Sequence, residues 1–391
     1  MTFLPPSPLA HREFDGVKWN FFAPDVLPLW VADTDFYSPR PVIAALHRLT
    51  EHGMFGYAMD SKDLREVIAA RMRNRYGVSA ATAERVLLLP NLVSGLNIAA
   101  FIAGAQGSGI LLNSPIYPPF LSSVAHQGQR LVDVPLVSSV TDGVLRYEMD
   151  FDAIEAAITP DTRMWLFCNP HNPVGRSYTR AELERVAEIA LRHNLLVVSD
   201  EIHSDLHFDG RTHNALASLS PEIAARTITL NAPSKAFNIP GLGLGYAVIT
   251  DEALFTAFQT RAWMTGQHTS AFGMVGALSA YTECGHYLEE VMPYLQANRD
   301  VLVDYLHENM PGLPVTIPDA TYLAWVDCRS LPLPEGTSPA QYFIDTGKVG
   351  FNDGAAFGEA GKGFVRINFG CSRETLMDAL ERMRAAVQAL G

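Results

Sequence analysis

The chain of 391 residues is 48% hydrophobic and carries a formal net charge of −13 at pH 7. Its length predicts two or three domains, or one large domain with a smaller companion, and its composition suffices for a sizeable core. The negative charge argues against a nucleic-acid partner and against attraction to an anionic membrane, although one local site can still hold a small anion. No apolar run reaches the roughly 18 residues that a membrane-spanning helix needs.

The beginning of the chain lacks a basic stretch followed by an apolar one, so we expect no signal peptide. The four cysteines lie far apart without paired spacing, which is typical of free thiols: Cys168, Cys284, Cys328 and Cys371. We therefore expect a soluble, cytoplasmic protein.

Residues 1–42 are rich in proline and aromatic residues and predict an extended arm that lies on its own chain or on a partner subunit. The arm includes a short predicted strand at 27–32. A helix over 41–52, a loop over 53–60 and an amphipathic helix over 63–76 follow.

From residue 85 the pattern alternates between short apolar runs and helical periodicity. This rhythm predicts an α/β fold with a mainly parallel sheet covered on both faces by helices, and ligands bind such sheets at the carboxyl ends of the strands. The predicted strands are 86–89, 110–113, 131–135, 164–168, 195–199, 227–230 and 246–250, and the helices between them are 93–105, 117–127, 150–157 and 180–193.

The pattern changes again after residue 251. The chain is mostly helical to 310, with a long predicted helix over 283–310, and then reads strand 321–327, strand 364–369 and helix 374–390. We predict three parts: an arm (1–45) that contributes to the small domain, a large cofactor-binding domain (46–285) and a small α+β domain (286–391).

Lys235 is the only lysine embedded in apolar sequence; the others are Lys18, Lys62, Lys348 and Lys362. It follows the apolar strand 227–230 inside a turn rich in proline and glycine. A buried amine is unfavourable without a partner. Although an isolated lysine is more often a surface residue, this setting predicts an amine that forms a Schiff base.

Two other predicted strands also end in polar residues, Asn172 and Asp200, each separated from the next by about one strand–helix unit. Asp200 follows a very apolar strand and needs a cationic partner, which a protonated pyridine nitrogen would provide. Asn172 and His203 can hydrogen-bond a phenolic oxygen, and Lys235 can form an imine. Together these groups suit pyridoxal phosphate (PLP). Considered singly, Asp200 could instead cap a helix and Asn172 could shape a turn.

An anion site and a stacking ring are also available. The helix that begins at Leu92 and Val93 follows a strand, so its free N–H groups can hold a phosphate. Tyr117 follows another strand and can stack on a cofactor ring, although packing is the commoner role of a tyrosine.

The motifs NPHNPVG (169–175), SDEIH (199–203) and APSKAFNIPGL (232–242) resemble the signatures of fold-type I PLP enzymes, the aspartate aminotransferase superfamily. LWVADTDF (29–36), FGY (55–57) and NDGAAFG (352–358) resemble the MalY/PatB group of cystathionine β-lyases. The resemblance covers most of the chain. It implies a homodimeric enzyme of amino-acid metabolism, such as methionine biosynthesis, that joins PLP to Lys235 and cleaves cystathionine or related cysteine S-conjugates to a thiol, pyruvate and ammonia.

The resemblance also implies further residue roles. Arg366 matches the arginine that binds the substrate α-carboxylate, with Asn172 beside it. Ser234 matches a phosphate-binding serine, and Tyr57 matches a tyrosine that reaches the phosphate and substrate of the neighbouring subunit. Gly243 departs from the pattern, since many members carry a phosphate-binding arginine there, and His203 stands where many aminotransferases have tyrosine.

Three alternatives remain open from the sequence. An aminotransferase would use the same residues, and only the resemblance favours the lyase. A metal-dependent hydrolase could use Asp200, His203, His207 and His171, although the spacing lacks the HExxH order. A PLP-binding regulator would need a DNA-binding stretch, which the sequence does not show.

Overall fold

The computed structural model describes residues 3–4, 12, 16–266 and 268–391. Much of the predicted N-terminal arm, residues 1–2, 5–11 and 13–15, lies outside the described residues. Within the described part of the chain, no helix combines the length and apolar character needed to cross a membrane.

Helices and strands follow one another closely along the chain. The helices are α1 (Val17–Asn20), α2 (Arg40–His52), α3 (Lys62–Tyr76), α4 (Leu92–Ile102), α5 (Pro118–His126), α6 (Phe151–Ala157), α7 (Arg180–Arg192), α8 (Pro221–Ala224), α9 (Glu252–Met264), α10 (Ala271–Glu283), α11 (Gly285–Asn309), α12 (Pro339–Tyr342) and α13 (Arg373–Gln388).

The strands form a large sheet, a second sheet and a short pair. They are β1 (Leu27–Pro28), β2 (Val86–Leu89), β3 (Gly109–Leu112), β4 (Arg130–Asp133), β5 (Val137–Thr141), β6 (Val144–Glu148), β7 (Thr162–Cys168), β8 (Leu196–Asp200), β9 (Thr227–Asn231), β10 (Gly245–Val248), β11 (Val315–Thr316), β12 (Leu323–Asp327), β13 (Val349–Gly350), β14 (Asn352–Asp353) and β15 (Phe364–Asn368).

The large sheet has the order β2-β10-β9-β8-β7-β3-β4. β10 runs antiparallel to both of its neighbours, whereas β4, β3, β7, β8 and β9 are mutually parallel. Most of their apolar residues are buried, against α4, α5 and α9 on one face and α6 and α7 on the other, whereas Leu131 of the edge strand β4 is exposed. The predicted α/β fold with a mainly parallel, helix-covered sheet is confirmed.

Local capping fixes where the helices begin. Thr179 and Glu182 form a capping box at the start of α7, and the Asn91 side chain accepts a hydrogen bond from the Ser94 N–H at the start of α4. Helix α4 also approaches the sheet closely, because a Cβ added at Gly95 would lie 2.9 Å from a methyl carbon of Leu230. The amino end of α4 is thereby held at the edge where β9 ends.

The second sheet has the order β14-β15-β12-β11-β6-β5. The hairpin β5–β6 comes from the middle of the chain, between strands of the large sheet, and β6 pairs in parallel with β11. Sequence analysis missed this hairpin. It lies within the range predicted as the large domain but belongs to the second sheet, and the predicted domain boundaries stay a prediction.

Several predicted elements have shifted bounds, and two of them are informative. The predicted strand at 27–32 is only Leu27–Pro28, paired with β13, because the carbonyls of Trp30, Val31 and Ala32 accept hydrogen bonds from side chains. The predicted helix over 283–310 begins at Gly285, where α10 and α11 meet around the buried Cys284.

Candidate active site

The carboxyl ends of three adjacent parallel strands meet at one cavity of about 380 Å³. Asn172 follows β7, Asp200 ends β8, and Lys235 lies in the turn after β9. The cavity has the size of a small-molecule site. Its lining includes every predicted site residue except Tyr57: Leu92, Val93, Tyr117, Asn172, Asp200, His203, Ser234, Lys235 and Arg366.

Lys235 lines this cavity from the turn that follows β9. Its Nζ donates a hydrogen bond to the carbonyl oxygen of Ala32. Burial lowers the pKa of Lys235 to about 8, with Asp33 opposing the shift. A sizeable fraction of this amine is therefore neutral near physiological pH.

Asp200 is a buried carboxylate at the end of β8. Oδ1 accepts a hydrogen bond from the N–H of Ile202 at 3.1 Å. Burial raises the pKa of Asp200 to about 7, although this bond and the charge of Lys235 favour the ionised form. A cationic group placed beside Asp200 would restore its usual ionisation, so the site is suited to receive one.

His203 and Tyr117 add aromatic groups to the lining. The Nδ1 atom of His203 is buried and has no hydrogen-bond partner among the described residues, and its ring lies edge-on to that of Tyr322. Burial holds the pKa of His203 well below its usual value, and Lys235 adds to this effect, so the imidazole is neutral. Tyr117 caps α5, and its N–H donates to the carbonyl of Asn172 at 3.1 Å.

Arg366 reaches the cavity from β15 of the second sheet, so the site lies between the two sheets. Its Nη1 donates to Asn172 Oδ1 at 3.0 Å, and its Nη2 donates to Trp30 O at 3.0 Å and to Asn352 Oδ1. The Nε atom is buried without a partner in the described structure. Burial lowers the pKa of Arg366 to about 10, which leaves the guanidinium charged at neutral pH.

The amino end of α4 forms one wall. The side chain of Asn91 accepts from the Ser94 N–H, and the N–H groups of Leu92 and Val93 belong to the first helical turn, where no helical carbonyl can accept them. Ser234 lines the same side. Gly243 has φ +65°, a left-handed conformation that disfavours the arginine found there in many members of the resembled superfamily.

Tyr57 lies outside the cavity. Its side chain is fully exposed, in a loop that also exposes Met54, Phe55 and Met59. This loop borders a groove with Trp263, which is exposed as well. Within this chain the structure therefore does not bring Tyr57 to the other predicted site residues.

Two residues of the metal-site alternative have other partners. His207 lies between Ser177 Oγ and Ser204 O, and His171 lies between Pro115 O and the Tyr178 hydroxyl. The described ranges hold no group of three or more histidine, cysteine, aspartate or glutamate side chains arranged for a metal ion.

Comparison with known sequences identifies the family of the chain. The sequence profile described as aminotransferase class I and II matches residues 25–383. The chain belongs to this family. It is similar to cystathionine β-lyase PatB of Bacillus subtilis, with 35% identity and coverage of 95% of this chain and 96% of PatB. It is also 33% identical to a cystathionine β-lyase of Corynebacterium glutamicum, over 95% of this chain and 96% of that protein.

Transaminases are related as well. Arginine–pyruvate transaminase AruH of Pseudomonas aeruginosa is 31% identical, over 94% of this chain and 91% of that protein. The resemblance to the MalY/PatB group is thus confirmed within a family that also includes aminotransferases.

Solved structures show the same fold. Cystalysin from Treponema denticola, which contains PLP, superposes with a TM-score of 0.92 at 27% identity, over 100% of this chain and 99% of that one. A PLP-bound C-S lyase from Staphylococcus hominis gives a TM-score of 0.88 at 28% identity, over 98% of this chain and 97% of that one. The fold is that of fold-type I PLP enzymes.

The cavity of this family member fits PLP on its own chemistry. It offers a buried carboxylate for a pyridine nitrogen, a lysine amine for an aldehyde, and a helix amino end for a phosphate. The unpartnered Nδ1 of His203 and Nε of Arg366 are polar atoms that a bound ligand can satisfy.

Sequence analysis gave no role to Trp30, Ala32, Asn352 or Tyr322, which contact Arg366 or Lys235, or share an acceptor with them. Three of these hydrogen bonds go to the backbone carbonyls of Trp30 and Ala32, and a backbone carbonyl carries no signal in the sequence. Asn352 lies in the NDGAAFG motif, and Trp30 and Ala32 lie in the LWVADTDF motif, so these two motifs were the available signals.

Proposed function

We propose that the protein is a PLP-dependent carbon–sulfur β-lyase that cleaves cystathionine or related cysteine S-conjugates to a thiol, pyruvate and ammonia. The convergence of Asn172, Asp200 and Lys235 on one cavity opposite Arg366 carries the proposal. The similarity to cystathionine β-lyases over nearly the whole chain supports this choice of reaction.

Most of the predicted site residues would hold PLP. Lys235 would hold it covalently as a Schiff base, Asp200 would pair with the pyridine nitrogen, and Asn172 and His203 would hydrogen-bond the phenolic oxygen. The remaining contacts are a stacking ring and donors to the phosphate: Tyr117 for the ring, and Leu92 N–H, Val93 N–H and Ser234 for the phosphate. When bound, PLP supplies an electron sink for negative charge at the substrate Cα.

The protein's own groups then act on the substrate. Arg366 binds the α-carboxylate, and its bonds to Asn172, Asn352 and Trp30 O fix the plane of the guanidinium. Lys235, with its pKa lowered to about 8, takes the Cα proton as a general base. The thiolate then leaves from Cβ, and one water molecule is consumed as pyruvate and ammonia form.

Incubation with cystathionine and no keto acid tests the reaction. We expect equal amounts of pyruvate, ammonia and thiol to be released. The similarity to AruH supports a second candidate, an aminotransferase of class I/II. If amino groups are exchanged only when a keto acid is supplied, and no pyruvate is released from cystathionine alone, the transaminase is correct and the lyase is wrong.

We also propose that the protein is a homodimer with shared active sites. The exposed apolar side chains around Tyr57 support this interface: Met54, Phe55, Met59, Trp263 and Met264. Tyr57 of each subunit would then contact phosphate and substrate in the partner's cavity.

Subunit mixing tests this assignment. Lys235→Ala and Tyr57→Ala subunits are each expected to be nearly inactive alone. Unfolding and refolding them together forms hybrid dimers in which one site keeps both native residues. Regained activity supports a shared site; no gain, with hybrids shown to form, contradicts it.

We finally propose that the protein is cytoplasmic. All of its cysteines lie in the described part of the chain and are free and buried: Cys168, Cys284, Cys328 and Cys371. Free thiols are typical of a reducing compartment. Fractionation of cells that express the native gene tests this location, and recovery outside the cytoplasmic fraction would contradict it.

A further inference from the structure

Four consecutive backbone carbonyls, those of Trp30–Asp33, each accept a hydrogen bond from a side chain; we call this segment the carbonyl strap. Trp30 O accepts from Arg366, and Ala32 O accepts from Lys235 and from the Tyr322 hydroxyl at 2.9 Å. The amide of Asn368 donates to both Val31 O and Asp33 O. The two side chains that act on substrate in the proposed function therefore rest on carbonyls two residues apart.

A buried ion pair holds the far end of the strap. Lys18 is only 3% exposed, and its Nζ lies 3.0 Å from Asp35 Oδ1 and 3.6 Å from Asp33 Oδ1. The same Nζ donates to Asp33 O at 3.2 Å. Asp33 and Asp35 together raise the pKa of Lys18 although burial opposes this, so the lysine remains charged.

The strap is also tied to the loop that carries Lys235. The side chain of Asn238 accepts from the N–H of Thr34 at 3.0 Å and donates to Thr34 O at 2.9 Å. The Asn238 side chain thus joins the lysine loop to Thr34, the residue that follows the strap. A rigid acceptor at Ala32 O fixes where the free amine of Lys235 can lie.

We propose that the carbonyl strap positions the amine of Lys235 whenever it is not covalently engaged, and that Tyr322 is a positioning residue acting through Ala32 O. This inference rests on the proposed function. Tyr322 is 1% exposed, and its hydroxyl shares one carbonyl with the amine. The hydroxyl holds the carbonyl in place and also weakens it as an acceptor for an ammonium group.

Tyr322→Phe removes only the hydroxyl that donates to Ala32 O and keeps the buried ring. Tyr342→Phe is its matched control, because the Tyr342 hydroxyl is also buried and also donates to a backbone carbonyl at 2.9 Å, that of Ala386, away from the cavity. Both variants lose the same kind of bond, so an equal loss of thermal stability is expected. Only Tyr322→Phe is expected to change the chemistry.

In the holoenzyme we expect Tyr322→Phe to lower kcat about tenfold, because a misplaced base slows proton transfer. KM should change less than about twofold, since the bond from Arg366 to Trp30 O is untouched. The acidic limb of the kcat–pH profile should move up by about half a pH unit. Without the Tyr322 hydroxyl, Ala32 O accepts only from the ammonium form of Lys235, and this raises the pKa of the amine. The other charged or titratable groups facing the amine are unchanged: Asp33, Asp200, Arg366 and His203.

A second measurement does not depend on turnover. In the full-length chain freed of cofactor, an amine-selective reagent labels Lys235 only when the amine is neutral, and peptide mass spectrometry gives the midpoint of labelling against pH. We expect a midpoint near 8 for the wild type, a higher midpoint for Tyr322→Phe, and no change for Tyr342→Phe.

The outcomes separate this inference from the proposed function. If the wild-type enzyme releases no pyruvate, the lyase proposal is wrong. The labelling midpoints then still test whether the strap positions the amine of Lys235. If the wild type is active and both phenylalanine variants have the same kcat, acidic limb and labelling midpoint as the wild type, the positioning role of the strap is wrong and the lyase proposal stands. Equal changes in both variants would mean a general loss of packing and would overturn it as well.

Discussion

Substitution of Arg366 by lysine tests how the carboxylate is recognised, because lysine keeps the charge but loses the planar fork. Arg366 is 3% exposed and is fixed by Asn172, Asn352 and Trp30 O, with Nε left for a ligand. A hydrogen bond to a charged group contributes about 1.5–3 kcal/mol. Loss of one such bond to the substrate carboxylate corresponds to a rise in KM of about 10- to 150-fold.

The bond is expected in both the ground state and the transition state, so kcat should change less than about threefold. Initial rates of pyruvate release against cystathionine concentration give both constants. The same data for an α-carboxamide analogue of the substrate should show little difference between wild type and Arg366→Lys, because the analogue has no carboxylate.

Arg299→Lys is the matched control for loss of a buried guanidinium. Arg299 is 5% exposed and forms a two-point contact with Asp209, at 2.6 and 2.9 Å, away from the cavity. This variant should lose stability and keep its KM. A folded Arg366→Lys protein whose KM stays within about threefold of the wild type would refute the carboxylate role.

Three further predictions address the amine, the carboxylate and the packing. Lys235→Ala should lose turnover and the imine absorption of bound PLP, and wild-type lyase activity in this variant would make the mechanism wrong. The folded pKa of Asp200 is about 7 and its unfolded pKa is about 4, so the cofactor-free chain should lose stability as pH rises between these values. Urea denaturation of Asp200→Asn should no longer show this loss of stability. An unchanged pH dependence in the variant would argue against the raised pKa of Asp200. Gly354→Ala should lower the melting temperature by several degrees, because its Cβ would lie 2.1 Å from Gly361 O. The control Gly336→Ala has no atom within 4 Å of the added Cβ but has φ +77°, so it should cost only about 1 kcal/mol of backbone strain. Equal losses of stability in the two variants would refute the packing argument.

The fold was predictable where apolar runs and helix caps act locally. Strands β7 and β8 are short, buried and rich in large apolar residues, and β9 alternates threonine with large apolar residues, so their presence and approximate ends follow from the sequence. The scarcity of lysine then singled out Lys235, and the polar residues at the other strand ends completed the cavity lining.

Contacts that depend on distant backbone could not be predicted in this way. The hairpin strand β5 is exposed along its whole length, so it lacks the alternation that marks a half-buried strand. Ala32 and Trp30 act through carbonyl oxygens, which every residue possesses. Tyr57 lies outside the cavity of its own chain, and a second subunit cannot be inferred from local pattern.

The hairpin β5–β6 ties the two sheets together along the chain. The chain leaves the large sheet after β4, forms the edge of the second sheet, and returns to the centre of the large sheet as β7. A single cut before β11 would leave the second sheet without this edge, and a cut before β5 would divide the large sheet. Neither half is therefore expected to fold as an excised fragment. Because β1 of the arm also pairs with β13, a domain exchange should need three separate segments to be moved together.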